Sequence, residues 1–397
     1  MLGELPEGWR EAKLGDHCRI EIGGTPSRDK PQFWSSEDAG HPWVSIADLK
    51  SPSVDRTKEF ISDLGVANSN VKPVPRGTVM MSFKLTIGRT AVAGRDLYTN
   101  EAIAAFFPDR DIDNEFLFYA LPHAAGRAET DQAIKGATLN KAKLRDLTTV
   151  LPPLDEQRRI VEVLRSVDDA IVSAENCVGC AESTLNALLS EYFYDADEAA
   201  KRGGGRPLRD LVSIQSGYAF KSADYQKNGH FLVRIGNVQD GYVSDENPKF
   251  VKLDEKTRSF ELRAGDILTS LTGNIGRVAR IHEHHLPAAL NQRVARISRD
   301  ENAPINIDYL FFALKSPLFK EGLAGESGGA AQQNVSPKAI GRIQIPLPSL
   351  ADQERIGKIL LGIVDMIDRS SAGLENLKKL KFVIMSDLLT GRIRVPA

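Results

Sequence analysis

The sequence predicts an α+β protein. It has two pseudo-symmetric globular domains, joined by two long helices packed as an antiparallel coiled coil. Three observations predict it. The stretch LPPLDEQRRIVEVL (Leu151 to Leu164) returns as LPSLADQERIGKIL (Leu347 to Leu360), at an offset of 196 residues. Each copy is preceded by short β-type runs separated by glycines and turn residues. Each is followed by apolar residues spaced four and three apart, the pattern of a coiled-coil seam.

The repeat extends beyond that stretch. LGDHCRIEIG (Leu14 to Gly23) resembles LRDLVSIQSG (Leu208 to Gly217), and PRGTVMMSFKLTIGR (Pro75 to Arg89) resembles RAGDILTSLTGNIGR (Arg263 to Arg277). EFLFYAL (Glu115 to Leu121) resembles DYLFFAL (Asp308 to Leu314), and LNKAKLRDL (Leu139 to Leu147) resembles VSPKAIGRI (Val335 to Ile343). The offset drifts from 194 to 188 and back to 196, as it does when loops vary on a fixed scaffold. The period is far too long for a solenoid.

The elements follow in order. Residues 1–153 form the first domain, with strands expected at VSIADL, TVMMSF and RTAVAG and a helix around Glu115–Leu121. Residues 154–202 form the first long helix, started by Pro152 and Pro153. Its seam is Ile160, Leu164, Val167, Ile171, Ala174, Val178, Ala181, Leu185, Leu188 and Tyr192. The glycines at 203–205 end it and open the second domain, residues 203–348, with strands at FLVRIGNV, DILTSL and RVARIH. Residues 349–397 form the second helix and a tail. Ser349 and Asp352 make a capping box there that the first copy lacks. The second seam is Ile356, Leu360, Ile363, Ile367, Ser370, Leu374, Leu377, Lys381, Ile384 and Leu388, and Ser370 and Lys381 are expected to loosen it locally. Each globular part feeds the start of a helix, so paired seams must run antiparallel, with a domain near each end of a rigid bar.

Composition narrows the function. The 397 residues are 42% hydrophobic and 26% charged, ordinary for a globular protein. No apolar run approaches the roughly 20 residues of a membrane helix, and the N-terminus lacks the features of a secretory signal. Three cysteines suit a reducing, cytoplasmic setting. No Asn/Asp-Pro-Pro-Tyr/Phe methylation signature and no P-loop are present. Pro108–Asp109 and Asp254–Lys256 lie too far apart for a nuclease site and read as solvated turns. His282–His285 (HEHH) reads as a polar loop rather than a zinc site. Cys177 and Cys180, beside seam residue Val178, read as buried or half-buried thiols rather than metal ligands. No catalytic residue, no metal site and no cofactor of the chain's own is expected.

The chain resembles the specificity subunits of type I restriction–modification systems. The residues that carry the resemblance are LPEGW (Leu5 to Trp9), the doubled LPxLxxQxRI helix starts, the doubled IGR segments and LLTGRIRV (Leu388 to Val395). The resemblance implies that each globular part is a target recognition domain reading one half of a bipartite sequence in double-stranded DNA. It implies that the helices set the gap between half-sites and dock two methyltransferase subunits. Restriction/translocase subunits join through those, and the methyltransferase holds the S-adenosylmethionine. Two other readings stay open: a free-standing two-domain DNA-binding regulator, and a specificity subunit of a combined restriction–methylation enzyme outside type I.

DNA contact is expected from three loops per unit, which offer glycine for close approach, Lys or Arg for phosphate, and amides, hydroxyls or aromatics for bases. In the first unit the candidates are Thr25, Arg28, Lys30, Trp34, Lys84, Thr86, Arg89, Lys135, Thr138 and Lys141. In the second they are Tyr218, Lys221, Tyr225, Thr272, Asn274, Arg277, Gln332, Gln333, Asn334 and Lys338. The matching Arg89 and Arg277 are expected to hold phosphates, and residues that differ between copies to read bases. A net charge of −2 suggests weak DNA binding by the chain alone and tight binding with its partners.

Overall fold

A computed structural model of the chain describes residues 5–130, 139–193, 205–326 and 335–395. The chain divides into two compact units. One comprises Met1–Ala174 with Gly373–Ala397, and the other Glu175–Ala372. The long helices, Leu154–Phe193 and Leu350–Thr390, are each shared between the units.

In the first unit, Arg10–Lys13 pairs antiparallel with Thr148–Leu151, which zips the domain's two ends together just before the long helix. A five-stranded sheet runs in the order Cys18–Ile22, Ile103–Pro108, Val79–Ser82, Thr90–Ala93, Ser53–Val54. Its central strands are buried on both faces, so they read as continuous apolar runs. Val79, Met81, Ala104 and Phe106 pack with Phe116, Leu117 and Leu121 of helix Asn114–Thr130. The alternate residues Met80, Ile103 and Ala105 pack with Val44, Val74 and Leu97 of a second five-stranded sheet.

The second unit repeats this plan. Gly205–Pro207 zips to Gln344–Pro346. A four-stranded sheet runs Val212–Ser216, Val294–Arg299, Ile267–Ser270, Val278–Arg280. Ile267, Ala295 and Ile297 pack with Tyr309, Leu310 and Ala313 of helix Ile307–Lys315. Leu268, Ala279 and Val294 face the other way, into a cluster with Val233 and Leu290.

The repeated glutamine explains the repeated sentence. Gln157 has no exposed surface. Its carbonyl accepts from the Asp113 N–H at 2.8 Å, and its amide donates to the Asp111 and Pro152 carbonyls, each at 2.9 Å. Gln353 is equally buried; it accepts from the Asn306 N–H at 2.8 Å and donates to the Pro304 and Pro348 carbonyls at 3.1 and 2.8 Å. Each amide satisfies three backbone groups, one carbonyl at the turn into the long helix and two groups in the loop before the domain's own helix. It thereby fastens the start of the long helix to the loop before the domain's own helix.

Both seams are packed within their units. In the first, Ile160, Val161 and Leu164 meet Leu388 and Leu389, with Ile384 and Met385 beside them. In the second, Leu185, Leu189 and Phe193 share a cluster with Ile356, Leu360, Ile363 and Ile367. The start of one helix therefore meets the end of the other in each unit, which is antiparallel pairing. Val167, Ile171, Val178, Leu188, Leu374 and Leu377 are buried or half-buried, while the residues beside them are mostly exposed.

Two expectations change. Lys381 does not loosen the seam: its ammonium pairs with Asp168 on the first helix, 5.8 Å from the Tyr119 ring, and Tyr119 donates to the same carboxylate at 2.8 Å. A lone cation at a seam position is tolerated when the facing helix supplies an anion. Cys177 and Cys180 are both exposed, not buried or half-buried, because they flank Val178 on the outer side of the helix; Cys18 is the buried thiol.

A buried carboxylate closes the first unit. Glu156 is 2% exposed and accepts from Trp9 Nε1 at 2.9 Å and from two Arg394 nitrogens at 3.0 and 2.7 Å. The Arg394 hydrogen bonds, helped by Trp9, hold its carboxyl below the ordinary glutamate value of about 4.5 despite burial. Glu156→Gln is expected to cost about 2 kcal/mol near pH 7, the scale of a charged hydrogen bond. A depressed carboxylate stabilises fully above its unfolded value, and that contribution is lost as pH falls through the folded value. Urea unfolding of both proteins should therefore show the gap closing below about pH 4.5; a gap constant down to pH 3 would refute the assignment.

Candidate nucleic-acid interface

The second loop of each unit is a turn between two sheet strands, built the same way twice. Ser82 N–H donates to the Arg89 carbonyl at 2.9 Å, and Ser270 N–H to that of Arg277 at 3.1 Å. Gly88 N–H returns to Ser82 at 2.9 Å and Gly276 N–H to Ser270 at 3.2 Å. The serine hydroxyls donate inward, to the carbonyls of Thr86 and Asn274. The tip bends through the left-handed region at Gly273 (φ 64°), and the first unit places Leu85 there (φ 61°), 95% exposed. A branched apolar residue in that region carries a steric cost that glycine avoids.

The first loop crosses a tight turn at Asn100–Ala102 or Asn291–Arg293. A Cβ on Gly23 would lie 2.1 Å from the Thr99 carbonyl oxygen, and one on Gly217 2.4 Å from that of Asn291, so only glycine fits at this crossing. Phe83 N–H donates to the Ala102 carbonyl at 2.9 Å, and Leu271 N–H to that of Arg293 at 3.0 Å. In the second unit the third loop joins as well, because Val335 N–H donates to Leu271 at 3.0 Å. Ser216, Leu271, Thr272, Gln292, Arg293 and Val335 line the resulting open cleft.

Residues 6–176 and 205–379 match the family described as the type I restriction modification DNA specificity domain. The chain belongs to that family. It is 24% identical to the MjaVIII specificity subunit of a type I restriction enzyme from Methanocaldococcus jannaschii, over 98% of this chain and 94% of that one. A solved chain from work on complex assembly and conformational transition of the type I R-M system superposes with a TM-score of 0.65. It has 18% identity and covers 98% of this chain and all of that one. The S subunit from M. genitalium gives 0.59 at 16% identity, covering 97% and 98%. The free-standing regulator is not favoured.

In this type I specificity chain the expected DNA-contact residues are not alike. Arg28 is engaged: it pairs with Glu59 and stacks 3.8 Å from the Trp34 ring. The Glu59 bond raises the Arg28 pKa, and the Arg28 bond lowers that of Glu59. Trp34 and Tyr225 are half-buried in small clusters with Trp43 and with Leu232. Arg277 donates to Gln239 Oε1 at 2.8 Å, whereas Arg89 is exposed in a different cleft, with Lys50 and Phe118. Thr25 donates to Glu101, and Lys141 lies 3.7 Å from Glu21. Lys30 is exposed, its ammonium 5.1 Å from the Phe33 ring, and Lys84 is half-buried against Phe83. Thr86, Tyr218, Lys221 and Asn274 are exposed. Lys338 is exposed in a separate cleft with Arg209 and Arg342. Lys135, Thr138, Gln332, Gln333 and Asn334 lie outside the described residues.

The loops meet at residues the sequence reading passed over: Glu101 in the first unit, Gln292 and Arg293 in the second. The signal was a further duplicated segment, TNEAIA (Thr99 to Ala104) against LNQRVA (Leu290 to Ala295). Among the described residues no cluster of three His, Cys, Asp or Glu could hold a metal ion, and no helix is long and apolar enough to cross a membrane. His285 is buried, its ring nitrogens facing the His282 N–H and the Val243 carbonyl.

Proposed function

We propose that each unit of this type I specificity chain reads one half of a bipartite, asymmetric target in double-stranded DNA, in the cytoplasm. The paired helices set the gap and dock two methyltransferase subunits, which bind the S-adenosylmethionine and recruit the restriction/translocase subunits. The chain itself does no chemistry. One observation carries the reading: sheets, glutamine fastening and loop turns are written twice, while the side chains at the converging loops differ. Leu85 and Thr86 face Gly273 and Asn274 in the comparison, and Glu101 and Ala102 face Gln292 and Arg293. A shared scaffold with unlike tips suits two readers of unlike sequences.

The partner surface has support on the second long helix, where Leu380, Phe382 and Val383 are 49%, 70% and 53% exposed, outside the seam. An apolar face of this kind suits a helix from another subunit. The test is to express the chain with a type I methyltransferase partner and read host DNA methylation by single-molecule sequencing. The wild type should mark one asymmetric site in two parts. Phe382→Asp should unfold at the same urea concentration, yet lose both co-purification with the partner and methylation. A continuous target, or no sequence preference, would overturn the reading.

A further inference from the structure

Asn100–Ala102 and Asn291–Arg293 are one turn with two chemistries. The backbone is fixed alike in both. Asn100 N–H donates to Val44 at 2.9 Å and Asn291 N–H to Val233 at 3.2 Å; Ile103 N–H closes on Asn100 at 3.2 Å and Val294 N–H on Asn291 at 2.9 Å. The second loop fastens to the third residue of each turn, Ala102 or Arg293. In the second unit the first loop also fastens to the turn, since Gln292 N–H donates to Tyr218 at 2.9 Å. A backbone fixed in this way gives its side chains a constant starting point.

What they offer is opposite. Gln292 and Arg293 are exposed at the cleft where the second unit's loops meet. Among the described residues neither side chain has a hydrogen-bond or ion-pair partner, whereas neighbouring cations are taken: Arg277 by Gln239 and Arg296 by the Glu261 carbonyl at 2.8 Å. In the first unit Glu101 is exposed and accepts from Thr25. The Thr25 hydrogen bond, with smaller help from Lys84 and Arg28, lowers the Glu101 pKa, and a carboxylate retains further lone pairs for another donor.

We propose that this turn is the base-reading element of both units, with inverted hydrogen-bond character. Arg293 reads the acceptor pair of a guanine, O6 and N7, in the second half-site, with Gln292 on the neighbouring base. Glu101 accepts from the exocyclic amino group of a cytosine in the first half-site. Those pairings follow from base-edge geometry in the major groove. The proposal rests on the DNA-reading function proposed above.

The test uses the full chain with its partner methyltransferase and a pool of duplexes randomised across both half-sites. Arg293→Ala should lose guanine preference at one position of the second half-site by about tenfold or more, with the first half-site unchanged. Arg293→Lys keeps the charge but not the two-pronged donor, and should lose the same preference. Glu101→Ala should relax one position in the first half-site alone. Uniform weakening across all sequences by Arg293→Ala, with guanine preference intact and retained in Arg293→Lys, would make Arg293 a phosphate anchor and overturn the proposal. A wild-type complex that selects no sequence would instead overturn the DNA-reading function itself, and this proposal with it.

Discussion

Gln353→Leu is expected to lower the unfolding free energy by about 3–5 kcal/mol, and Gln157→Leu to do the same. Leucine fills a similar volume, so the loss is polar. Three backbone groups lose their partner in each case: for Gln353 these are the Asn306 N–H and the Pro304 and Pro348 carbonyls. Each buried group left unsatisfied costs about 1–3 kcal/mol, partly recovered by relaxation. The neighbouring exposed cap is a useful contrast. Ser349 receives the Asp352 N–H at 3.2 Å at the helix start, and Ser349→Ala should cost only about 1 kcal/mol. Urea titration gives the magnitudes. Hydrogen exchange gives the location, since the Asn306 amide should lose protection in Gln353→Leu and the Asp113 amide in Gln157→Leu. A change below 1 kcal/mol would mean that these glutamines are not structural fasteners.

Lengthening both long helices by one heptad is expected to widen the preferred gap between half-sites by about 3 base pairs. The insertions belong after Ala174 and after Ala372, where each helix passes from one unit to the other. Seven residues add about 10 Å of helix, and DNA rises about 3.4 Å per base pair. A heptad keeps the seam in register, so the packed helices tolerate it. Three base pairs, however, also turn the duplex by roughly 100°, given about 10.5 base pairs per turn. Binding at the new gap should therefore be weaker than wild-type binding at the old one, because the DNA must take up the mismatch in twist. Selection from duplexes of graded spacing measures both effects. A preferred gap that stays where it was would show that the helices are not the ruler.

The scaffold was legible because duplication and periodicity report on packing. The seam from Ile160 to Leu188 and its partner from Ile356 to Leu388 are buried or half-buried position by position, since heptad spacing is a direct consequence of one buried face. What spacing does not carry is the partner of a polar group. Gln157 and Gln353 stood out as repeated letters, but their bonds run to residues 44 to 49 positions upstream. Lys381 looked like a flaw because Asp168 is remote in sequence. At the candidate interface, loop composition did not show which side chains have partners inside the protein. Arg28, Trp34, Tyr225 and Arg277 have the right chemistry for DNA, yet Glu59, Trp43, Leu232 and Gln239 hold or pack against them. The turn holding Arg293 did not stand out because it is only three residues long, between the strands Ala288–Leu290 and Val294–Arg299.

The first unit is discontinuous in the chain and the second is not. A ribosome delivers all of the second unit before the 25 residues, from Gly373 to Ala397, that finish the first. Until Arg394 emerges, Glu156 lacks the guanidinium that hydrogen-bonds to it. The half that is translated first is thus the half that is completed last, and unfinished chains carry one closed domain and one still open to a chaperone or a protease.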